Sequence, residues 1–160
     1  ASDISGIALM TAKPNGGHLS VNAIPRGMSR PLVCATLNPY YLIFYSTAIE
    51  NRVAKIANLF AAHGFMKEDE TKLSGRELGE AAAEGINKFY STLKIPSRLS
   101  EFPNLDENVC SALIEGAKKE LSKSSFKQVP VGLTLLNTAK YLRLVYQAAF
   151  AGDYPIIMNF

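Results

Sequence analysis

Apolar residues return along this chain at steps of three and four, not two. Ile49, Val53, Ile56 and Phe60 are separated by four, three and four residues, which puts them on one stripe of a helix. His63-Gly64 follows, and the glycine predicts a left-handed cap where that helix ends. Ser74-Gly75-Arg76-Glu77 has the spacing of a capping box, in which serine and glutamate satisfy first-turn amides. Behind it Leu78, Ala82, Ile86, Phe89 and Leu93 form a long apolar face that stops at Pro96. Asn104 and Glu107 repeat the box spacing ahead of Val109, Leu113, Ala117 and Leu121, whose four-residue step keeps them near one side of a helix. Leu135, Ala139, Leu142, Tyr146 and Ala149 mark a last helix, closed by Gly152. Earlier in the chain, Ser29 is a candidate cap for a helix carrying Leu32, Val33, Thr36, Tyr40 and Phe44. Pro31 fits the first turn of that helix, because its missing amide would be unpaired anyway. Further upstream, Ile4-Ser5-Gly6-Ile7-Ala8-Leu9-Met10 is another helix-like apolar run.

Alternating strand patterns are nearly absent and no internal repeat stands out. The expected fold is therefore all-α, a helical bundle, with residues 1–160 forming a single helical domain. Its longest irregular stretches, around Lys67 to Leu73 and Ser122 to Leu133, carry charge or small polar residues and read as surface loops.

Composition narrows the partners. At 160 residues and 48% hydrophobic, the chain has enough apolar material for a real core. The net charge of +3 comes from 17 basic and 14 acidic residues. The basic ones are scattered, with no stripe to track a phosphate backbone, which argues against nucleic acid. Cys34 and Cys110 lie far apart inside apolar helical patterns and show neither metal-ligand spacing nor a disulfide framework, so the expected setting is reducing and cytoplasmic. The run Leu42-Ile43-Phe44-Tyr45 is soon interrupted by Glu50 and Arg52, and no apolar stretch is long enough to cross a bilayer. Ala1-Ser2-Asp3 lacks the basic start of a signal peptide and has no initiating methionine, which leads us to expect that something upstream was removed.

Little of the chain reads as chemistry. Asn15-Gly16-Gly17-His18 puts a histidine beside glycines at a helix boundary, where its imidazole could bind a metal or, more plainly, donate to a backbone carbonyl. The glycine pair serves equally well as a tight turn. His63 reads as a last-turn histidine near the negative end of a helix dipole. Tyr40, Tyr41 and Tyr45 could line a cleft, but at helical spacing they suit a core or an interface better. Both cysteines read as small buried hydrophobes.

Several segments together carry a family resemblance. Ser5-Gly6-Ile7-Ala8-Leu9, Pro14-Asn15-Gly16-Gly17-His18-Leu19, Pro25-Arg26-Gly27 and Leu37-Asn38-Pro39-Tyr40-Tyr41 resemble the start of the second half of the iron-containing alcohol dehydrogenases. Arg52-Val53-Ala54-Lys55-Ile56-Ala57 and Leu93-Lys94-Ile95-Pro96-Ser97-Arg98-Leu99 are similar to later parts of that family, where a helix ending in a glycine- or lysine-Ile-Pro step is followed by an Arg-Leu turn. The resemblance implies an N-terminal domain binding a nicotinamide cofactor, NAD or NADP, and a helical C-terminal domain. Between them the family holds a divalent metal, iron or zinc, that polarises an alcohol for hydride transfer to the nicotinamide.

On that resemblance His18 matches one metal-ligating histidine. Arg26 stands where another would precede a glycine, and an arginine has no lone pair to give a metal. The segment from His18 to Arg26 is shorter than the family's, and Asn22 stands where many members keep a further histidine. The resemblance assigns the remaining aspartate and histidine ligands, with the Gly-rich cofactor-binding domain, to sequence N-terminal of Ala1. No Gly-x-Gly-x-x-Gly follows a strand pattern here. The chain is thus expected to be the metal-binding helical half of an alcohol dehydrogenase, inactive alone. Its expected partner is the missing domain or another chain, and the apolar face left by that absence should make it self-associate or bind. A degenerate, non-catalytic structural or interaction subunit is the alternative, and an unrelated helical adaptor ranks last.

Overall fold

The computed structural model describes residues 29–103, 105–106, 108–121 and 135–159. Among them every regular element is helical: five α-helices and three short 3-10 turns. The expectations for Ile4 to Met10, for Gly16, Gly17, His18, Asn22 and Arg26, for the Asn104 and Glu107 box and for the Ser122 to Leu133 loop lie outside the described residues. So do those for the side chains of Val109, Ala117, Leu121 and Leu135.

Helix α1 (Arg30–Tyr45) carries more buried residues than any other described helix. Pro31 sits in its first turn, as the pattern predicts. Ser29 holds the N-cap position in extended backbone, but its hydroxyl makes no cap bond. Its carbonyl instead accepts the Val33 amide at 3.1 Å. From Val33 to Tyr45 every residue except Cys34 is buried, so this helix is covered nearly all round and shows no single apolar stripe. Pro39 lies in its interior and has no amide to give the Ala35 carbonyl.

Helix α2 (Glu50–Ala62) has the predicted stripe in Val53, fully buried, and in Ile49 and Ile56, nearly so, while Phe60 is half-buried; Ala57, outside the predicted set, is fully buried as well. It ends as expected at His63-Gly64, with Gly64 at φ +75. The Gly64 amide donates to the Ala61 carbonyl (3.0 Å) and the Phe65 amide to the Phe60 carbonyl (2.9 Å). These are the two bonds of a Schellman motif. Its usual apolar contact is made by the Phe60 and Phe65 rings, 5.9 Å apart edge to face.

Helix α3 (Gly75–Thr92) starts where the pattern puts it but not by the predicted capping box. Ser74 makes no side-chain cap bond. Gly75 adopts φ +52, and its amide donates to a Glu50 carboxylate oxygen of α2 at 2.9 Å. A carboxylate from a neighbouring helix thus supplies the acceptor and the negative charge that an N-terminus favours. Gly79 lets α3 cross the end of α1, since a Cβ there would come within 2.5 Å of the Ser46 Cβ. The predicted apolar face holds at Leu78 and Ala82, loosens at half-buried Ile86 and Phe89, and fails at Leu93, which is 55% exposed just beyond the helix. The stretch from Lys67 to Leu73 is not wholly irregular: Asp69–Lys72 forms a 3-10 turn, and Glu70 accepts the Lys67 amide at 2.8 Å.

Helix α5 (Leu135–Ala151) packs on α1 with one side and on α4 (Asn108–Leu121) with the other. Leu142, Val145, Tyr146 and Ala149 are fully buried on it, and Gly152 (φ +80) closes it. The buried side chains of all five helices form one apolar cluster. After α5 the chain turns through the 3-10 segment Tyr154–Ile156 and is strapped down by Arg76 of α3. That guanidinium donates to Glu80, to the carbonyls of Tyr154 and Ile157, and to the Asn159 side chain. The Asn159 amide in turn donates to Ser46 at 2.9 Å and Thr47 at 3.2 Å. No helix among the described residues is long and apolar enough to cross a membrane.

Candidate functional site

Two segments that carry the sequence resemblance are joined in space. Asn38-Pro39-Tyr40 lies in α1, and Lys94-Ile95-Pro96-Ser97 forms the exit from α3. The Tyr40 hydroxyl donates to the Ser97 carbonyl at 2.8 Å across 57 residues of sequence. One turn earlier, the Thr36 hydroxyl lies 2.9 Å from the Pro96 carbonyl and 3.0 Å from the Leu32 carbonyl, so its single proton is shared between them. The Asn38 side chain hydrogen-bonds the Tyr90 hydroxyl; burial raises the Tyr90 pKa and that bond offsets part of the rise.

Local backbone explains why this exit can be grasped. The Ile95 amide donates to the Tyr90 carbonyl (3.0 Å) and the Lys94 amide to the Ser91 carbonyl (3.1 Å), the same Schellman pattern that ends α2. Here, however, Lys94 holds the left-handed position, at φ 55. Pro96 two residues on cannot continue the helix. The freed carbonyls of Pro96 and Ser97 then face the hydroxyls of α1. The following Arg98 lays its aliphatic stem over Gly152, where a Cβ would come within 2.6 Å of its Cδ, and its guanidinium reaches Glu101 at 3.2 Å. Leu99 is fully buried. The Tyr154 ring meets Tyr40 edge-on at 5.3 Å.

The tyrosines proposed for either a cleft or a core are core. Tyr40, Tyr41 and Tyr45 are at most 1% exposed. The hydroxyls of Tyr41 and Tyr146 lie 2.8 Å apart, whereas the Tyr45 hydroxyl is buried with no hydrogen-bond partner among the described residues. Burial pushes the Tyr40 hydroxyl up to about 12, with Arg98 lowering and Glu101 raising it. Tyr45 and Tyr154 are driven upward by the same desolvation. These phenols stay protonated and act as hydrogen-bonding struts.

Concave surface occurs instead between α4 and α5, in a groove of about 420 Å³. Cys110 and Ile114 are the buried floor, half-buried Phe150 and Ile156 form one wall, and exposed Ser111, Arg143 and Gln147 stand at the rim. None of the rim residues was singled out by the sequence. On helices their exposed polar side chains have the same pattern as any solvated face, and the one clue is that Arg143 and Gln147, four apart, share a stripe with Phe150.

Among the described residues, no group of three or more His, Cys, Asp or Glu side chains converges to hold a metal. His63 is an exposed residue at the α2 C-cap, as its sequence position suggests. Cys110 is buried, while Cys34 is only half-buried, its thiol pKa raised by desolvation against a smaller opposing effect of Arg30. The described residues therefore do not make up a metal centre, and the one proposed ligand, His18, lies outside them. Compared with known protein families, characterised proteins and solved structures, the chain has no match.

Proposed function

We propose that this chain is the helical half of a nicotinamide-dependent alcohol dehydrogenase, inactive by itself, which pairs with a nucleotide-binding half and lends His18 to a divalent iron or zinc ion between the two. What supports the reading is the junction: the two most specific segments of the resemblance, Asn38-Pro39-Tyr40 and Ile95-Pro96-Ser97-Arg98-Leu99, are bonded to one another through Tyr40, with neighbouring Thr36 reaching Pro96 beside it. Within this reading Tyr40, Thr36 and Asn38 are positioning residues that hold the α3 exit against α1. Arg26, standing in place of a ligand histidine, favours a second reading, a relative whose metal site has decayed and which persists as a non-catalytic subunit.

Elemental analysis of the chain recovered as a complex with its nucleotide-binding half, which would carry the remaining ligands, tests both after exposure to iron(II) or zinc. Stoichiometric metal that disappears in His18→Ala supports the working half. Metal retained only after Arg26→His, which restores an imidazole, supports the decayed relative. Failure to recover such a complex, or equally little metal in complexes of wild type, His18→Ala and Arg26→His, removes the dehydrogenase account altogether.

A further inference from the structure

We propose that the groove between α4 and α5 is a binding site for a carboxylate carried on a short apolar chain. Arg143 stands at its rim with no ion pair among the described residues. A guanidinium presents a planar fork of donors that matches the two oxygens of a carboxylate. Gln147, one turn along the same helix, adds amide donors on the same side, and the Ser111 hydroxyl stands on the opposite helix. Beneath them Cys110 and Ile114 form the floor and Phe150 and Ile156 an apolar wall, so a ligand that keeps its charge at the rim and lays its chain along them leaves neither end mismatched.

The geometry also selects against other classes. One cation at the rim suits a monoanion; a phosphate dianion would call for a second positive group, and the groove has none among the described residues. An ammonium would meet Arg143 as a like charge. A volume of about 420 Å³ lies at the lower end of the range for small-molecule pockets, which suits a medium chain better than a long lipid. The site is independent of the dehydrogenase reading, since no residue of the groove belongs to the resembling segments.

Octanoate is the probe, titrated into the 160-residue chain and followed by amide chemical shifts, with octylammonium and octan-1-ol alongside. The expected result is saturable movement of the Ser111, Gln147 and Phe150 resonances by octanoate and none by octylammonium. Arg143→Met, which keeps the apolar stem of an exposed residue, should weaken octanoate binding about fivefold, because a rim charge pair is partly screened by water. Ser111→Trp should block it by filling the groove from the other helix. The proposal is overturned if octanoate gives no saturable shift, if octylammonium or octanol binds equally well, or if Arg143→Met and Ser111→Trp both bind like wild type. Metal content plays no part in any arm, so failure here leaves the His18 test untouched.

Discussion

The two sides of α5 differ in a way that organises the molecule. On its core side the helix carries Thr138, Leu142, Val145, Tyr146 and Ala149, all fully buried, and the Tyr146 hydroxyl meets that of Tyr41 in α1. Toward α4, the same helix presents Arg143, Gln147 and half-buried Phe150 around an open groove. One side is sealed with aromatic volume and internal hydrogen bonds; the other keeps polar side chains in reach of water above an apolar floor. Stability is concentrated on the first side, and capacity to bind on the second.

Truncation on each side should break or sharpen this contrast. Phe44→Ala, in the sealed side, should cost about 3–5 kcal/mol, because it leaves a cavity that α1 and α5 cannot collapse to fill. Phe150→Ala, in the groove wall, should cost less than half as much, since water already reaches the site. Urea unfolding curves measure both, and equal losses would erase the distinction between the two sides.

The phenols of the sealed side give the next largest effect. Tyr146→Phe deprives Tyr41 of a buried partner and should lower stability by about 1–2 kcal/mol. Tyr45→Phe removes a hydroxyl with no partner among the described residues and should be neutral or stabilising. The same groups set the alkaline limit. The folded protein holds the Tyr40 proton up to about pH 12, against an ordinary value of 10.0. An unfolded chain releases it earlier, so stability present below pH 10.0 is lost as pH rises toward 12. Tyr45 and Tyr154, shifted the same way, deepen that loss. Unfolding midpoints across this range should fall in wild type and fall less in Tyr40→Phe.

The smallest effect concerns the ends of α2 and α3, which share one hydrogen-bond pattern but not one residue. Lys94→Gly should stabilise by about 1 kcal/mol, by relieving a left-handed side chain. Gly64→Ala should destabilise by a similar amount of about 1 kcal/mol. No atom lies within 4 Å of a Cβ built on Gly64, so that change tests backbone conformation alone. Thermal melts of the two variants moving in the same direction would show that the two ends are not equivalent.

Much of the fold was legible because helices are written locally. The α2 stripe, its Gly64 cap, Pro31 in the first turn of α1 and Gly152 after α5 each follow from residues within a few positions of one another. The misses were non-local. Ser74 has the right spacing for a cap, but Glu50 reaches its helix first. Leu93 continues an apolar period yet falls beyond the last turn, where nothing covers more than half of it. Of the candidate site, the Asn38-Pro39-Tyr40 and Ile95-Pro96-Ser97 segments were visible as motifs, but their union was not, and the groove left only the shared stripe of Arg143, Gln147 and Phe150, a pattern common to any solvated face.

Periodicity, caps and breakers in the sequence alone determined that the described residues are helical and where α2 and α5 stop, because each of those signals acts through bonds spanning four or five residues. Tertiary structure alone decided which carboxylate caps α3, that the tyrosines of α1 are core and not cleft, and that a guanidinium stands over an apolar bed between α4 and α5. Those outcomes depend on which helices become neighbours, and that is set by the packing of whole faces, not by any short run of residues.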